Sequence, residues 1–223
     1  MAARVLFSFV FISLLFTYFP SPCSCLKYAD SMVVAGTKQV EKVNLALYYE
    51  ALCPGSREFI LKYLVDVFDL GLIDIVNLKL VPWGNAKLTQ PNDTIVSQVT
   101  FTHLHPPHLI LLIIAPLSLC SVGEDECYFN TIQACAIEAL PDPTKHFKFI
   151  HCVIKKTSNG PIHGKEEIWR SCCQGQKEVE QHIQNCYESG HGKELELKYH
   201  DETPDHDYVP WVIINDKHIE VIF

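Results

Sequence analysis

Residues 53–56, Cys-Pro-Gly-Ser, are the part of this sequence whose residue types and spacing suit thiol chemistry. Cys53 follows a strand-like run and Pro54 opens a helix-like run. Proline suits the first helical position because an N–H there has no partner within the helix. The Cys53 sulfur then faces free backbone N–H groups and the positive end of the helix dipole, and both favour a thiolate. Because a thiolate attacks disulfides, this position predicts a nucleophilic cysteine.

Ser56 occupies the position at which a second cysteine would complete a Cys-x-x-Cys redox pair. A serine hydroxyl can donate a hydrogen bond to a thiolate at Cys53, but it cannot form a disulfide. The local sequence also leaves a structural interpretation open, in which Cys53 is half of a structural disulfide or a buried thiol. The elements around the cysteine help to decide between these interpretations.

A strand, a helix and a second strand are predicted around the cysteine. Apolar and polar residues alternate over residues 42–50, which is typical of a strand. From Arg57 the apolar residues recur at helical spacing until Gly71, which ends the run. Residues 73–81 return to strand character and are stopped by Pro82. Two strands joined by a helix form a βαβ unit, so the strands are expected to pair in parallel.

The rest of the chain is predicted to contain further helices and a hairpin. Helical spacing covers residues 127–139 and 174–189, a shorter helix lies at 193–199, and two β-rich runs lie at 211–214 and 218–222. This order predicts an α/β fold, with a thioredoxin-like core and a long cysteine-rich insertion. Pro210 precedes the hairpin and is the candidate for the cis-proline that faces the redox helix in that fold.

The N-terminal residues have the layout of a secretory signal peptide, predicted to cover residues 1–25. Arg4 precedes an apolar run over residues 5–19, and small residues and prolines follow. A membrane span needs about 20 apolar residues, so no stable span is expected here. The remaining domain is predicted to cover residues 40–223 and to reach the secretory pathway.

The cysteine content agrees with an oxidising compartment. The chain has ten cysteines, of which Cys23 and Cys25 belong to the predicted leader. Most of the other eight are expected to be paired, and if Cys53 stays free an odd number remains. The adjacent Cys172 and Cys173 are interpreted either as one bridged and one spare cysteine or as members of two different bridges. Asn92 begins an Asn-x-Thr sequon and is a candidate glycosylation site.

Other features point away from nucleic acid and from metal. The formal net charge of -8 argues against a general nucleic-acid binder. Residues 99–122 are rich in His, Pro and aliphatic residues and are treated as an atypical insertion. His103, His105 and His108 lie in this stretch, but the intervening prolines and the lack of partner ligands argue against a metal site. His206 lies in an acidic loop near Pro210, where it could tune the pH response of the site.

Several longer segments resemble one family, the gamma-interferon-inducible lysosomal thiol reductases. They read "LALYYEALCPG", "NLKLVPWGNAKL", "GEDECYFNTIQACAIEAL" and "YVPWVIIN", and "FKFIHCV" and the region from "WRSCC" to "NCY" look like the family's later cysteine segments. The third is the most specific, because the family motif reads Cys-Gln-His-Gly-x-x-Glu-Cys-x-x-Asn-x-x-x-x-Cys. The residues that match this motif are Gly123, Glu126, Cys127, Asn130 and Cys135.

The sequence departs from the family in three places. Ser56 replaces the second cysteine of the redox pair. Ser121 and Val122 follow Cys120 where the motif has Gln and His; alternatively, Ser97-Gln98 is the altered remnant and residues 99–122 are inserted, for example as retained non-coding sequence. The chain also stops just after the hairpin, so the helix that normally covers a thioredoxin-like sheet is expected to be missing.

The resemblance implies a thiol-disulfide oxidoreductase that reduces protein disulfides through Cys53, without a cofactor. Small thiols would act as the reductant, and the protein would be secreted or reside in a lysosome or vacuole. Because the resolving cysteine is Ser56, the activity is expected to be weak. A non-enzymatic pseudoenzyme, or a thiol-dependent binding protein of the same fold, is the alternative, and a defective gene product that does not fold is a third.

Overall fold

The computed structural model of the chain describes residues 41–89, 94–96 and 124–221. Several sequence-based predictions lie outside these residues: the signal peptide at 1–25, the glycosylation site Asn92, the whole insertion at 99–122 with its three histidines, and Cys120. These remain predictions.

A four-stranded sheet forms the core, in the order β2-β1-β5-β6. Its strands are β1 (Val43–Tyr49), β2 (Val76–Pro82), β5 (Trp211–Ile214) and β6 (Lys217–Ile219). β1 pairs in parallel with β2 and antiparallel with β5, so it is an inner strand covered on both edges. The predicted parallel βαβ unit followed by an antiparallel hairpin is therefore confirmed, as is the α/β class.

The helical segment after β1 runs over residues 54–69 in three pieces. These are α1 (Pro54–Phe59), a π-helical turn (Ile60–Leu64) and α2 (Val65–Asp69). Gly71 ends the segment with φ of 70°, a left-handed conformation that glycine adopts without a steric cost. The expected strand from residue 73 begins only at Val76, because residues 72–75 form a 3-10 turn first.

The hairpin is closed by a two-residue turn at Asn215 and Asp216. Both residues have positive φ, 46° and 63°, which suits the twist of a tight hairpin. The Asn44 N–H donates to Asn215 Oδ1 at 2.9 Å, and the Asn215 N–H donates back to the Asn44 carbonyl at 2.9 Å. The turn is thereby tied to the start of β1.

The segment between β2 and β5 contains a two-stranded sheet and a group of helices. The strands are β3 (Lys87–Thr89) and β4 (Thr94–Val96), and the helices are α3 (Glu124–Ala139), α4 (Pro143–Thr157), α5 (Lys165–Cys172), α6 (Lys177–Glu188) and α7 (His191–Glu202). α3 packs against β2, α6 and α7 and so connects this segment to the core sheet.

The helix predictions were right for α3 and α6 in all but their starting residues. α6 begins at Lys177 rather than at residue 174, because Gln174 and Gly175 have φ of 53° and 76°, which is incompatible with a right-handed helix. α7 is longer than the predicted 193–199. α4 and α5 were not predicted from the pattern.

Two disulfides connect the helices in pairs. Cys135–Cys186 joins α3 to α6, and Cys152–Cys172 joins α4 to α5. Cys127 is disulfide-bonded as well. Within the described ranges the free cysteines are Cys53 and Cys173. The prediction that most cysteines other than Cys53 are bridged is confirmed for this part of the chain, and Cys172 and Cys173 are one bridged and one spare cysteine. No helix in the described ranges is long and apolar enough to span a membrane.

Candidate thiol site

Cys53 lies at the start of the helix that follows β1, as predicted. It is the N-cap of α1, with φ of -62° and ψ of 127°, and Pro54 follows at the first helical position. Its carbonyl accepts the first intrahelical bond, from the Arg57 N–H at 2.9 Å. The side chain is partly exposed, so a reagent can reach the sulfur.

The loop before β5 approaches the sulfur from the other end of the chain. Cys53 Sγ lies 3.9 Å from the carbonyl oxygen of Val209, to which the thiol donates a weak hydrogen bond. The Val209–Pro210 peptide bond is cis, and Pro210 is buried. The structure thus brings Cys53 close to Val209, 156 positions away in sequence, and so to the predicted cis-proline Pro210 that follows it.

Ser56 faces inward, toward the end of β1. Its side chain is 0% exposed, and its hydroxyl oxygen accepts a hydrogen bond from the Glu50 N–H at 3.4 Å. The serine therefore helps to hold the chain as it leaves the sheet, one turn of helix away from Cys53.

One face of α3 holds the backbone that leads to Cys53. Glu126 Oε1 accepts from the Leu52 N–H at 2.8 Å, and Asn130 Oδ1 accepts from the Ala51 N–H at 2.9 Å. One helical turn further along α3, the Gln133 carbonyl oxygen accepts from the Tyr49 hydroxyl at 2.5 Å. We call these three α3 side chains, Glu126, Asn130 and Gln133, the polar stripe. All three are buried; Glu126 and Asn130 satisfy N–H groups in the segment between β1 and α1, and Gln133 satisfies the hydroxyl of Tyr49 at the end of β1.

The ionisable groups near the stripe are the buried Glu126 and Glu50 and the half-buried Arg57. Burial raises the pKa of Glu126 to about 8; the nearby Glu50 acts in the same direction, while the Leu52 N–H and Arg57 oppose it. Burial lowers the pKa of Arg57, and the negative charges of Glu126 and Cys53 counteract this. The Arg57 guanidinium also donates from Nε to the Ala51 carbonyl at 3.4 Å.

The loop after β2 closes the site on the side of Glu50. The Glu50 carboxylate accepts from the Asn85 N–H at 3.1 Å, and the neighbouring Gly84 has φ of 59°. A Cβ at Gly84 would lie 2.2 Å from Cγ of Glu50, so only glycine fits beside this side chain.

Comparisons with known proteins agree with the segments identified in the sequence. The sequence model of the family described as "Gamma interferon inducible lysosomal thiol reductase (GILT)" matches residues 44–108 and 117–189. The chain belongs to this family. It is 34% identical over 199 residues to an Arabidopsis thaliana "Gamma-interferon-responsive lysosomal thiol protein", covering 87% of this chain and 70% of the relative.

Animal relatives give a similar result. A Carassius auratus "Gamma-interferon-inducible lysosomal thiol reductase" is 30% identical over 230 residues, covering 90% of this chain and 78% of the relative. The Mus musculus protein of the same name is 28% identical over 181 residues, covering 78% of this chain and 61% of the relative. The GILT model leaves residues 109–116 unmatched, and these lie within the predicted insertion.

Aromatic side chains lie beside the Val209 carbonyl in this GILT family member. Trp211 stacks on His218 with ring centroids 3.5 Å apart, and Tyr208 meets the Trp211 ring edge-on at 5.3 Å. The Tyr208 ring is 38% exposed, and its hydroxyl lies 3.3 Å from His218 Nε2. His206 packs against Trp211 at 6.0 Å, with Nδ1 bonded to the Pro204 carbonyl at 2.8 Å. We call these four side chains, at residues 206, 208, 211 and 218, the aromatic patch.

The second free thiol, Cys173, has a different environment. It is buried, and its Sγ lies 3.6 Å from the Trp169 carbonyl. Burial raises the pKa of the Cys173 thiol to about 11, and Glu180 adds to this effect. A protonated, buried thiol is a poor nucleophile, so Cys173 is not a candidate for the chemistry.

The sequence predicts Cys53, Ser56 and Pro210 as site residues, and the structure brings all three to one region. The sequence analysis missed the roles of Arg57 and Gln133, and it noted the remaining stripe residues only as matches to the GILT motif. The spacing of residues 126, 130 and 133 places them on one helical face, which was a readable signal. The N–H groups that they hold could not be read from the sequence.

Proposed function

We propose that this GILT family member carries out thiol–disulfide exchange with Cys53 as the nucleophile. The observation that carries the proposal is the contrast among its thiols. Cys53 is free, partly exposed and placed at the start of a helix, whereas Cys173 is free but buried. A helix N-terminus favours a thiolate, which is the species that attacks disulfides.

The chemistry needs three exchange steps. The Cys53 thiolate attacks one sulfur of a substrate disulfide, forms a mixed disulfide and releases the other substrate sulfur as a thiolate. A small thiol then attacks Cys53 Sγ, which releases the second substrate thiol and leaves Cys53 joined to the small thiol. A second small thiol restores the Cys53 thiolate. One substrate disulfide is reduced to two thiols, and two small thiols are oxidised to one disulfide.

Ser56 determines which of these three exchange steps is slow. A second cysteine at this position would resolve the mixed disulfide within the molecule, at an effective concentration of about millimolar or more. A serine oxygen cannot do so, and release therefore depends on a thiol from solution. At low thiol concentration the protein would act as a covalent trap for its partner. This is the second candidate function, and the serine favours it.

The surroundings of Cys53 favour polypeptide substrates. The Val209 carbonyl lies 3.9 Å from the sulfur and belongs to an irregular loop, which can present main-chain groups to an extended peptide. The aromatic patch lies beside this loop and offers a half-exposed apolar surface. We therefore propose that the substrates are proteins whose disulfides lie in exposed, extended segments.

The bridged cysteines support a compartment of the secretory pathway. Cys135–Cys186 and Cys152–Cys172 are structural disulfides, which persist in oxidising surroundings and are rare in the cytosol. The relatives carry "lysosomal" in their names. We propose that the protein is secreted or resides in a lysosome or vacuole.

The test is covalent capture of a model disulfide protein. The purified protein is mixed with the model protein, quenched by alkylation and separated without reductant, and the adduct is mapped by mass spectrometry. We expect an adduct through Cys53 that disappears in proportion to added glutathione. Ser56→Cys should release the substrate without added thiol, and Cys53→Ser should form no adduct. Cys173→Ala, which removes the buried free thiol, serves as the matched control and should still form the adduct.

Two results would contradict the proposal. One is the absence of a Cys53 adduct in both the natural protein and Ser56→Cys, each shown to be folded by circular dichroism. The other is an adduct that forms through Cys173. A Cys53 adduct that glutathione does not release would instead select the covalent-trap function over turnover.

A further inference from the structure

The polar stripe of α3 holds the two backbone N–H groups just before Cys53 and the Tyr49 hydroxyl. Glu126 bonds the Leu52 N–H, Asn130 bonds the Ala51 N–H, and the two contacts lie 2.8 and 2.9 Å long. Two of these side chains are uncharged amides; Glu126 is the exception. A buried carboxylate would cost far more to desolvate than an amide unless it were matched by a cation.

We propose that Glu126 is a positioning residue that works as an uncharged carboxylic acid: it holds the Leu52 N–H beside Cys53 while leaving the positive charge of the Arg57 guanidinium uncancelled. This inference rests on the proposed role of Cys53 as the nucleophile.

The groups packed around Glu126 favour its uncharged form. Glu126 is 7% exposed, and Glu50, at the end of β1, is buried nearby. From β1, Tyr49 also faces it as a buried, neutral phenol whose hydroxyl donates to the Gln133 carboxamide. From α1, Arg57 opposes with its positive charge, but burial is the largest influence and raises the pKa of Glu126 to about 8. A protonated carboxyl still accepts the Leu52 N–H through its carbonyl oxygen.

The protonation state of Glu126 changes the charge balance at the sulfur. Below about pH 8 Glu126 is neutral, so its charge does not cancel that of Arg57, which interacts with Cys53. A positive charge near a thiol favours the thiolate. Above about pH 8 Glu126 ionises, and its negative charge opposes the thiolate. Protonation of Glu126 therefore leaves the positive charge of Arg57 uncancelled at acidic and neutral pH.

The experiment measures the alkylation rate of Cys53 by iodoacetamide from pH 5 to pH 9. Glu126→Ala should be slower than the natural protein by about fivefold or more below pH 7, because the Leu52 N–H loses its partner and Cys53 is no longer held. Glu126→Gln should restore this loss, since the amide reproduces a protonated acid in shape and hydrogen bonding. Above pH 8 Glu126→Gln should exceed the natural protein by about threefold or more, because no carboxylate forms.

Two further variants separate charge from folding. Arg57→Gln should slow alkylation at pH 6 by about tenfold, because the cation that supports the thiolate is gone. Glu196→Gln is the matched control: Glu196 lies on α7, is 3% exposed, and burial raises its pKa to about 8 as well, but it is bonded to Thr131 rather than to the segment before Cys53. Glu196→Gln should leave the alkylation profile of Cys53 unchanged.

Infrared spectroscopy of the natural protein tests the protonation state without any variant. We expect the carbonyl band of protonated carboxyl groups at pH 6.5 and its loss by about pH 9.5, with part of the band missing in Glu126→Gln. The absence of such a band at pH 6.5 would overturn the inference. So would a fivefold faster alkylation of Glu126→Gln at pH 6, because it would mean that a carboxylate was already opposing the thiolate.

Alkylation does not require disulfide exchange, so the two proposals can fail separately. If the alkylation profiles follow the expectation but no disulfide adduct forms, the role of Glu126 stands and the proposed function does not. If Cys53 captures disulfides but Glu126→Ala and Glu126→Gln behave alike at every pH, the proposed function stands and the role of Glu126 is wrong.

Discussion

The folded protein should lose stability as the pH rises from about 6.5 to 8, because two buried carboxyls hold their protons in this range. Burial raises the pKa of both Glu126 and Glu196 from an ordinary value of 4.5 to about 8. A group whose pKa is higher in the folded state stabilises the fold below its unfolded pKa, and this stabilisation is lost as the pH rises through the folded pKa. The sign therefore predicts that these two groups stabilise the fold more at pH 6.5 than at pH 8.

The size of the effect follows from the same two values. At pH 6.5 an unfolded glutamate is ionised, whereas Glu126 and Glu196 are still protonated until about pH 8. Each pH unit in this window lowers the free energy of unfolding by about 1.4 kcal/mol per group. Each carboxyl therefore lowers it by about 2 kcal/mol over the window, and the pair by about 4 kcal/mol. Because the whole stability of a domain is about 5–15 kcal/mol, this loss would be easily measured.

Other titrating groups act mainly outside this window. Burial lowers the pKa of His146 and His151, which weakens the fold in acid, below about pH 6.5. The pKa of Cys173 is raised to about 11, so it weakens the fold only above its ordinary value of 9.0. His191 also titrates in this window: its bonds to Glu138 and Glu194 raise its pKa above 6.5, so it adds a loss of the same sign, and the Gln variants identify the share of the two carboxyls.

The assay is urea unfolding at pH 6.5, 7.0, 7.5 and 8.0, followed by far-UV circular dichroism. The natural protein should lose about 4 kcal/mol of unfolding free energy over the series, and Glu126→Gln and Glu196→Gln should each lose about 2 kcal/mol. The double variant should keep only the shallow loss that His191 contributes. A natural protein whose stability is constant or rises between pH 6.5 and 8 would refute the reasoning, since it would mean that both carboxyls are ionised when folded.

Two other predictions concern packing and cross-links. Gly84→Ala should lower the free energy of unfolding by about 2 kcal/mol more than Gly175→Ala in urea unfolding. Both glycines have positive φ, but only a Cβ at Gly84 meets a neighbour, Cγ of Glu50 at 2.2 Å; equal losses would contradict the clash. Replacing both cysteines of Cys135–Cys186 by alanine should lower the free energy of unfolding by about 4 kcal/mol. The same replacement of Cys152–Cys172 should lower it by about 3 kcal/mol, because the two disulfides span 51 and 20 residues respectively. The reverse order would contradict the loop-entropy argument.

The core of the fold could be predicted because its signals are local. Apolar and polar residues alternate along β1 because successive side chains of a strand point to opposite faces of the sheet. The Cys-Pro pair marks the start of α1. The Asn215-Asp216 pair tolerates the positive φ that a tight hairpin needs. Each feature depends on residues within a few positions, so no knowledge of tertiary contacts was required.

The sequence analysis missed α4 and misplaced the start of α6 for two different reasons. α4 begins with an N-cap at Asp142, whose side chain accepts from two N–H groups, and with Pro143 at the first position. These are ordinary helix-start signals that the sequence contained. The start of α6 was placed too early because the positive φ of Gln174 is set by its surroundings rather than by its own preference.

The site could be predicted only in part because its supporting contacts are distant in sequence. Cys53 was found from its local position, but the Glu126 bond to Leu52 joins residues 74 positions apart and the Asn130 bond to Ala51 joins residues 79 positions apart. The resemblance to the family drew attention to Glu126 and Asn130 without saying what they hold. The two hydrogen bonds depend on how α3 lies against the end of β1 in the folded protein, which the sequence pattern does not show.

The serine at position 56 separates two tasks that one side chain performs in a Cys-x-x-Cys pair. The first is to pack inward beside the end of β1, and Ser56 does this: it is 0% exposed and accepts the Glu50 N–H. The second is to resolve a mixed disulfide, which needs a sulfur. On the proposed function, Cys53 can therefore attack a disulfide, whereas release depends on thiols from outside. On the proposed function, the thiol concentration around the protein, rather than its fold, decides whether it turns over or keeps its partner.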